Sequence, residues 1–466
     1  MISISPEEMS AIDANCAGVG LLPLQLMENA GAALAREILA FQKGAKKIAI
    51  VAGRGNNGGD ALVAARHLGS LDVVVFLLGR SRDISTDEAR RNWQILDRLG
   101  FDIREVRDPE ELKALSKNDI VVDAILGTGV RGSVRGLEGA AIEAINGCGR
   151  PVISVDVPSG MGTDRVVRPD LTVTFHLPKS GMTGEIRAHP IGIPPQAEFL
   201  AGPGDLALIG SRGKDSHKGE SGRILVIGGG AYSGAPALTA LAALRSGTDI
   251  VTVAAPRSVS GTIAGFSPNL IVRALSGDRL CHEDLDLLKD LISAHDVVVM
   301  GMGLGRAPET KEALEKIIPL CKRAVIDADA LLPDLPLRGI VTPHAGEFRR
   351  ISGLDLPEDG GLRRETVRRF AAEGDVVVLL KGRLDLISDG TVVRGNATGN
   401  AGMTVGGTGD VLAGISAAFY ARAPPLRAAV AAAFVNGRAG DLVYAEKDYG
   451  MVATDLLEKI PIAMRS

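Results

Sequence analysis

Cysteine and aromatic residues are scarce in this 466-residue chain, and long apolar runs are absent. The four cysteines are scattered with no CxxC pair, which excludes a disulfide scaffold and a cysteine-based zinc site. One Trp, four Tyr and ten Phe are too few for a platform on which nucleic-acid bases stack. No apolar stretch approaches the roughly 18 residues that a membrane span requires.

The chain also lacks an excess of basic charge. Acidic residues outnumber basic ones 56 to 52, for a net charge of −4. Proteins that bind nucleic acid or a membrane surface through charge need a basic excess, so we expect neither partner. The first residues, MISISPEEMS, follow neither the plan of a signal peptide nor that of a transit peptide, and a cytoplasmic location is therefore expected.

Glycine is abundant, with 58 residues placed between short apolar strands and amphipathic helices. Strands that are apolar throughout, such as DIVVDAI at residues 119–125, predict parallel sheets covered by helices on both faces. A polar stretch, SRGKDSHKGESG at residues 211–222, interrupts this alternation and reads as a linker. The sequence therefore predicts two α/β domains, residues 1–210 and residues 211–466.

In the first half, a predicted strand ending at Ala52 leads into GNNGGD and a helix that we expect to begin near Asp60. A strand, a glycine-rich turn and a helix N-terminus together form a site for an anion or a dinucleotide. A simple strand-to-helix turn is the alternative, but it does not require Asn56 and Asn57 beside two glycines and an acid.

Two further predicted strands of this half end at acidic residues, Asp123 and Asp156. Ligands of open parallel sheets bind beyond the carboxyl ends of the strands, so these loops should converge. Asn57, Asp123 and Ser159 offer oxygen ligands, which suit a hard cation and not zinc. For Lys179, a place in the same crevice and a solvated position on a loop both remain open.

In the second half, Gly406, Gly407 and Gly409 precede a helix that opens at Asp410. Several backbone amides would then face one point at a positive helix end, beside an acid that can take a proton from a substrate hydroxyl. Helix capping by Asp410 is the alternative, but a cap needs no glycines around it. Lys381 ends another predicted strand, and His344 lies in a predicted strand-to-helix turn; both would face the same cleft. For His344, a structural role is the alternative to binding.

Taken together, these motifs resemble one family, the bifunctional NAD(P)H-hydrate repair enzymes, in which an epimerase domain is fused to an ADP- or ATP-dependent dehydratase domain. The similarity covers nearly the whole chain. Its motifs in the first half are MENAG (27–31), GNNGGD (55–60), DAILGTG (123–129) and DVPSG (156–160). Those in the second half are HKG (217–219), GAP (234–236), GMGLG (301–305), TPHAGE (342–347), KG (381–382) and GGTGD (406–410).

The resemblance implies a Rossmann-like, doubly wound N-terminal domain and a ribokinase-like α/β C-terminal domain. It implies epimerisation of the R and S forms of hydrated NADH and NADPH. It also implies dehydration of the S form by ADP or ATP, through phosphorylation of the C6 hydroxyl and loss of phosphate. A potassium ion in the first domain, Mg²⁺ with the nucleotide in the second, and a homo-oligomer are further expectations.

The resemblance also assigns residues to sites. Asp410 and Asp156 would be catalytic. The first domain would hold the hydrate through Asn56, Asn57, Gly58, Gly59, Asp60, Gly127, Thr128, Gly129, Val130, Arg131, Gly132, Ser133 and Asp156. The second would hold it through Ala235, Gly303, His344 and Asp410. The nucleotide would meet Lys381, Gly382, Arg383, Leu384, Asp385 and Gly409. Potassium would be bound by Asn57, Asp123 and Ser159.

One residue departs from the family pattern, because Ala61 follows GNNGGD where the family loop continues with glycine. A methyl group there is sterically mild. Two other functions stay open at this point: a small-molecule kinase for a vitamin or a sugar, with an accessory nucleotide-binding domain, and a nucleotide sensor without turnover. The GNNGGD half argues against the kinase, and the intact Asp156 and Asp410 argue against the sensor.

Overall fold

The computed structural model describes residues 3–41, 44–210, 217 and 219–465. The chain forms two compact units, Met1–Pro194 and Pro195–Ser466. The first unit therefore ends before the predicted domain boundary after residue 210. Residues 211–216 and 218 of the predicted linker lie outside the described residues.

The first unit alternates helices and strands, as expected for an α/β domain. Its helices are α1 (Pro6–Gly18), α2 (Pro23–Phe41), α3 (Asn56–His67), α4 (Asp87–Arg98) and α5 (Gly136–Gly147). Its strands are β1 (Lys47–Ala52), β2 (Asp72–Leu78), β3 (Asp102–Val106), β4 (Ile120–Ala124), β5 (Val152–Val155), β6 (Leu171–Phe175) and β7 (Ile186–His189).

The strands of the first unit form one parallel sheet, ordered β3-β2-β1-β4-β5-β6-β7 among the described residues. Strands β4, β5 and β6 are buried along their whole length, as expected for a sheet with helices on both faces. The strand order reverses between β1 and β4. Loops that leave the carboxyl ends of these two strands diverge, and this divergence opens a crevice for a ligand.

The second unit is larger and begins with two short helices, α6 (Pro195–Phe199) and α7 (Pro203–Ala207). Its other helices are α8 (Gly234–Arg245), α9 (Arg257–Gly265), α10 (Leu285–Ala294), α11 (Pro308–Ile317), α12 (Ala345–Ser352), α13 (Gly360–Gly374), α14 (Thr408–Tyr420), α15 (Pro425–Lys447) and α16 (Ala453–Ala463). Its strands are β8 (Arg223–Ile227), β9 (Ile250–Ala255), β10 (Ile271–Ala274), β11 (Val297–Met300), β12 (Ala324–Ile326), β13 (Gly339–Val341), β14 (Val376–Leu380), β15 (Asp385–Ser388) and β16 (Val393–Asn396).

The sheet of the second unit runs β10-β9-β8-β11-β12-β13-β14-β15-β16 among the described residues. Strands β8 to β14 are parallel, whereas β15 and β16 extend the sheet as an antiparallel hairpin. Helices α8, α14 and α15 pack on one face and bury an alanine-rich core. A Cβ on Gly414 would lie 2.2 Å from the Thr239 carbonyl oxygen, so glycine there permits the close approach of α14 to α8.

Residues 195–207 belong to the second unit because they pair with its edge strand. Leu200 forms a bridge with Gly395 of β16, and the Arg394 guanidinium bonds to the Asp205 carboxylate at 2.9 Å. The sequence could not predict this, since the segment's short turns carry no periodic pattern. Throughout the described residues, none of the helices combines the length and the apolarity needed to cross a membrane.

Candidate active sites

A cavity of about 900 Å³ opens at the carboxyl edge of the first unit's sheet. Residues from the ends of β1, β4, β5 and β6 line it, as the strand order requires. Among the predicted site residues, the lining includes Asn56, Asn57, Asp60, Gly127, Thr128, Gly129, Val130 and Asp156. The structure thus brings most of the predicted epimerase residues to one place.

The GNNGGD motif differs from the expectation, because α3 begins at Asn56 and not near Asp60. Its two glycines lie inside the helix and serve packing. A Cβ on Gly58 would lie 2.1 Å from the Gly53 carbonyl oxygen, and a Cβ on Gly59 would lie 2.6 Å from Met27 Cε. Neither glycine lines the cavity, since both face the strand end and the neighbouring helix. Ala61 is fully buried.

Only part of the loop after β4 lines the cavity, as is the case for the GNNGGD motif. Its first part lines the cavity, while Arg131, Gly132 and Ser133 do not. Arg131 pairs with Glu7 at 2.5 Å, and the Ser133 hydroxyl donates to Asp164 Oδ2 at 2.7 Å. These bonds hold the loop's far end in place, and a bound ligand would meet its near end.

Asp123, Asn57 and Ser159 surround the backbone of Leu126. Asp123 is fully buried, and its Oδ2 accepts from the Ser154 hydroxyl at 2.7 Å and from the Ser159 amide at 2.9 Å. The Ser159 hydroxyl and the Asn57 amide group lie 3.2 and 3.3 Å from the Leu126 carbonyl oxygen. Burial raises the pKa of Asp123 above its usual value, and its hydrogen bonds to Ser159 oppose that shift.

Asp156 and Lys179 form the charged centre of the cavity. The Lys179 ammonium contacts Asp156 Oδ1 and donates to the Phe175 carbonyl oxygen at 2.9 Å. Lys179 is 2% exposed, so it belongs to the crevice, and the solvated alternative is wrong. Asp156 has a φ of 61°, in the left-handed region that a non-glycine residue rarely adopts. Such strain is common at functional sites.

Two more carboxyl groups, Asp13 and Asp60, face Asp156 across this cavity. Burial raises the pKa of Asp13 to about 6, the nearby Asp156 charge raises it further, and Lys179 opposes the shift. Burial also raises the pKa of Asp60 well above its usual value, with the same two neighbours acting in the same directions. Sequence reasoning missed Asp13, because a single acid in α1 forms no motif and reaches the site only through folding.

In the second unit, Asp410 lies in the first turn of α14, which begins two residues earlier than predicted. Gly407 caps this helix with a φ of 99°, a conformation that favours glycine. Burial raises the pKa of Asp410 to about 7, and the Asp327 charge adds to the shift while Lys381 opposes it. The cap residue is Gly407 and not Asp410, whose backbone oxygen accepts from the Thr239 hydroxyl at 2.9 Å.

Lys381 lies close to Asp410 but pairs with other acids. Its ammonium is 2.9 Å from Asp327 Oδ1 and 3.7 Å from Glu347 Oε2. Burial alone would lower the pKa of Lys381, but the charges of Asp327, Glu347 and Asp410 outweigh it and raise the pKa. Asp327 was missed by sequence reasoning, although the acid-rich segment DADA after β12 could have signalled it.

The other predicted hydrate ligands of this unit lie on neighbouring loops. His344 caps α12 through Nδ1 and forms a bridge with Lys381, which joins the ends of β13 and β14. Gly303 has a φ of 70°, and a Cβ there would lie 2.9 Å from the Tyr232 carbonyl oxygen. Ala235 lies in the first turn of α8, three residues after Tyr232. The Thr239 hydroxyl of the same helix donates to the Asp410 backbone oxygen.

The predicted nucleotide residues form the exposed turn between β14 and β15. Gly382, Arg383 and Leu384 are exposed, whereas Asp385 closes the turn by accepting from the Gly382 amide at 2.9 Å. A Cβ on Gly409 would lie 3.4 Å from the Lys381 ammonium nitrogen, so this turn and the start of α14 adjoin. Across the described residues, no three His, Cys, Asp or Glu side chains form a metal-binding group.

The fold and these sites define a class: an α/β enzyme with a dinucleotide-type crevice in one unit and a kinase-like acid and glycine loop in the other. Residues 224–462 match the family described as NAD(P)H-hydrate dehydratase, and residues 23–181 match the one described as YjeF-related protein N-terminus. The bifunctional NAD(P)H-hydrate repair enzyme Nnr of Archaeoglobus fulgidus is 46% identical over 99% of this chain and 98% of its own length. That of Pyrobaculum aerophilum is 45% identical over 100% and 98%.

Solved structures agree for the second unit. An ADP/ATP-dependent NAD(P)H-hydrate dehydratase from Bacillus subtilis, co-crystallised with ATP and Mg²⁺, superposes with a TM-score of 0.50 and 26% identity, covering 56% of this chain and 95% of that one. A ribokinase-like superfamily protein from Enterococcus faecalis gives a TM-score of 0.51 and 27% identity over 57% and 95%. The chain belongs to the family of bifunctional NAD(P)H-hydrate repair enzymes. The expected family and the two-domain α/β fold are thereby confirmed.

Proposed function

We propose that the first unit interconverts the R and S epimers of hydrated NADH and NADPH, and that the second returns the S epimer to the reduced dinucleotide with ADP or ATP. Membership of the repair family supports this function over a plain small-molecule kinase. The observation that carries the proposal is the position of Asp410 beside a glycine loop at the start of α14. The pKa of Asp410, about 7, suits a base at neutral pH.

Dehydration needs a better leaving group than hydroxide. Asp410 takes the proton of the C6 hydroxyl while the hydroxyl oxygen attacks the terminal phosphoryl group of the nucleotide. The nucleotide, which has lost that phosphoryl group, is the leaving group. The amides around Gly407 and Gly409 point to the charge that develops on the phosphoryl oxygens. The C6–O bond to phosphate then breaks, and a C5 proton passes to the departing phosphate, so that the electrons of the C5–H bond form the C5–C6 double bond.

Residues around the nucleotide have separate parts in this proposal. The exposed turn of Gly382, Arg383 and Leu384 borders the nucleotide, with Asp385 holding the turn closed and Lys381 supplying positive charge near Gly409. Ala235, Gly303 and His344 border the hydrate. Mg²⁺ would come with the phosphates, keep several waters and neutralise phosphate charge.

Potassium fits the first unit. Asp123 is a buried carboxyl group whose hydrogen bonds from Ser154 and Ser159 offset part of the cost of burial, and a cation would offset more of it. Oxygen atoms of Asn57, Asp123 and Ser159 would hold the ion, and these hard ligands suit an alkali cation. The ion would supply fixed positive charge behind the loop that begins at Gly127. Asn56, Asn57, Asp60, residues 127–130 and Asp156 would contact the hydrate.

For epimerisation, C6 of the hydrate bears both a hydroxyl group and the ring nitrogen N1, so it is a hemiaminal carbon. A base that removes the hydroxyl proton lets the oxygen electrons form a C=O bond while the C6–N1 electrons move onto N1. Rotation about C5–C6 and reclosure on the other face gives the other epimer. Asp156, ion-paired with Lys179, is placed to be that base.

The test uses the purified chain with mixed hydrate epimers, and follows the return of reduced-nicotinamide absorbance with ADP, with ATP and with neither. We expect full conversion with one nucleotide and release of one phosphate per dinucleotide formed. Conversion of the S epimer alone would refute the epimerase function proposed for the first unit. No conversion, with phosphate transferred to a stable product from a panel of vitamins and sugars, would favour the kinase.

A further inference from the structure

The first unit's cavity holds more acid than its assigned chemistry uses. Asp13 enters from α1, Asp60 from α3 and Asp156 from the end of β5. Lys179 is the cation that acts on these acids, whereas Arg54, which also lines the cavity, pairs with Glu138 at 2.8 Å. The Lys179 ammonium is bound by Asp156 Oδ1 and by backbone and hydroxyl oxygens. Lys179 contacts Asp156 directly, whereas burial raises the pKa of both Asp13 and Asp60.

The wall around Asp13 is apolar. Met9, Ala14 and Ala17 of its own helix and Leu26 of α2 line the same cavity. An acid against such a wall favours its neutral, proton-carrying form. Below its pKa of about 6, Asp13 presents a carboxylic acid to a molecule bound beside the Asp156–Lys179 ion pair.

We propose that Asp13 is the second acid–base group of the epimerisation, the one that gives a proton to the ring nitrogen while Asp156 takes the proton of the C6 hydroxyl. This inference rests on the proposed function of the first unit. When Asp156 accepts the hydroxyl proton, the C6–N1 bond breaks, and N1 receives the Asp13 proton. Ring closure returns the N1 proton to Asp13 and the Asp156 proton to oxygen, so both groups end as they began.

Asp60 fits this part less well than Asp13. The pKa of Asp60 is raised well above the normal range, whereas that of Asp13 lies near 6. A group that must give and regain a proton in each turnover works best when its pKa lies near the working pH. The raised pKa of Asp60 favours its neutral form, in which it would donate a hydrogen bond to the substrate.

The experiment measures epimerisation without nucleotide, by separating the R and S hydrates chromatographically over time and subtracting the uncatalysed rate. The variants are Asp13→Asn, Asp60→Asn and Asp97→Asn, the last an exposed acid of α4 that serves as the control. We expect Asp13→Asn to lower the rate by about 100-fold or more, with Asp97→Asn unchanged. Asp60→Asn keeps a donor and is expected to lose less than Asp13→Asn.

The pH profile separates an acid–base role from a structural one. The groups facing Asp13 are Asp60, Asp156 and Lys179. In the wild type, kcat/KM for epimerisation should fall as pH rises through the Asp13 pKa, because the proton needed by N1 is lost. Asp13→Asn should abolish this fall. If Asp13→Asn is unfolded, Asp13→Glu must retain the fall in its place.

The outcomes distinguish this inference from the function beneath it. A wild-type chain that does not epimerise refutes the first unit's proposed function and the role of Asp13 with it. An active wild type whose Asp13→Asn variant matches it, or keeps the high-pH fall, refutes Asp13 alone. An active wild type without any such fall also refutes it.

Discussion

Each unit places an aspartate and a lysine near the carboxyl ends of parallel strands, yet the two pairs differ in their contacts. In the first unit Lys179 binds the proposed base Asp156 directly. In the second unit Lys381 binds Asp327, and the proposed base Asp410 is left with a pKa of about 7. Which acid the lysine contacts therefore decides whether the base is ion-paired or set near neutrality.

The chemistry of the two reactions accounts for this difference. Opening a hemiaminal needs a base that stays ionised beside a separate acid. Phosphoryl transfer needs a base that does not repel the incoming phosphates, and an acid with a raised pKa meets this need better than a permanent charge. An aspartate and a lysine are present in both sites. The contacts that each makes with its neighbours decide how the aspartate transfers protons.

The largest expected effect is that of Asp410→Asn. Removing the base should lower dehydration by about 10³-fold, since general bases contribute 10² to 10⁴. Epimerisation should be unchanged, because Asp156 lies in the other unit. The absorbance assay with saturating nucleotide measures the first rate, and chromatography measures the second. Asp290→Asn, at an exposed position of α10, is the matched control. A dehydratase rate within a factor of two of wild type in Asp410→Asn would exclude Asp410 as the base.

Lys179→Met breaks the ion pair on the other side of the comparison. Without the ammonium, Asp156 loses the ion pair that positions it in the cavity, and epimerisation should fall by about 10²-fold. Dehydration of the pure S epimer should be unaffected. Circular dichroism at the assay temperature checks that the first unit is folded. Equal epimerisation rates in Lys179→Met and wild type would mean that the pair is structural only.

The glycines of the two motifs should differ in the same experiment. A Cβ on Gly58 would lie 2.1 Å from a backbone oxygen, so Gly58→Ala should destabilise the first unit by about 2 kcal/mol. Gly409→Ala meets only the Lys381 ammonium at 3.4 Å and should change nucleotide affinity with little loss of stability. Thermal unfolding and nucleotide titration measure these effects. Equal unfolding temperatures for the two variants would contradict the packing role of Gly58.

The smallest expected effect is a shift in pH dependence. Asp327→Asn removes a negative charge that raises the pKa of Asp410, and it leaves Lys381 free to act on Asp410. The pKa of Asp410 should fall by about one pH unit. Because Asp410 acts when deprotonated, the rising limb of the dehydratase pH profile should move to lower pH by that amount. A limb that stays in place, or moves to higher pH, would show that Asp327 does not tune Asp410.

The sequence alone predicted the elements that depend on neighbouring residues in the chain. Strands β1, β2, β5 and β8 begin and end where the apolar runs do, and the glycine motifs lie at the strand ends where they were expected. The start of α3 was wrong by one turn, because asparagine and glycine are typical of turns and were assigned to a loop. Gly55 caps that helix instead.

The missed residues are those that only tertiary contacts bring to a site. Asp13 belongs to an ordinary helix far from Asp156 in sequence, and nothing in its neighbours marks it. Asp327 follows β12 and acts through Lys381, at the end of a different strand. Sequence motifs identify residues that share one loop and bind substrate together. The acids that shift the pKa values of such residues come from other parts of the chain, and no motif marks them.

The pairing of residues 195–207 with the edge strand determines where the two activities can be separated. A gene cut after codon 210 would give the first half a tail that belongs to its neighbour. It would also strip the second half of Asp205, leaving the half-buried Arg394 without its carboxylate, and of Phe199, which packs on Gly395. A cut between Pro194 and Pro195 leaves each half with its own contacts, so that junction is the natural one for recombining these enzymes as modules.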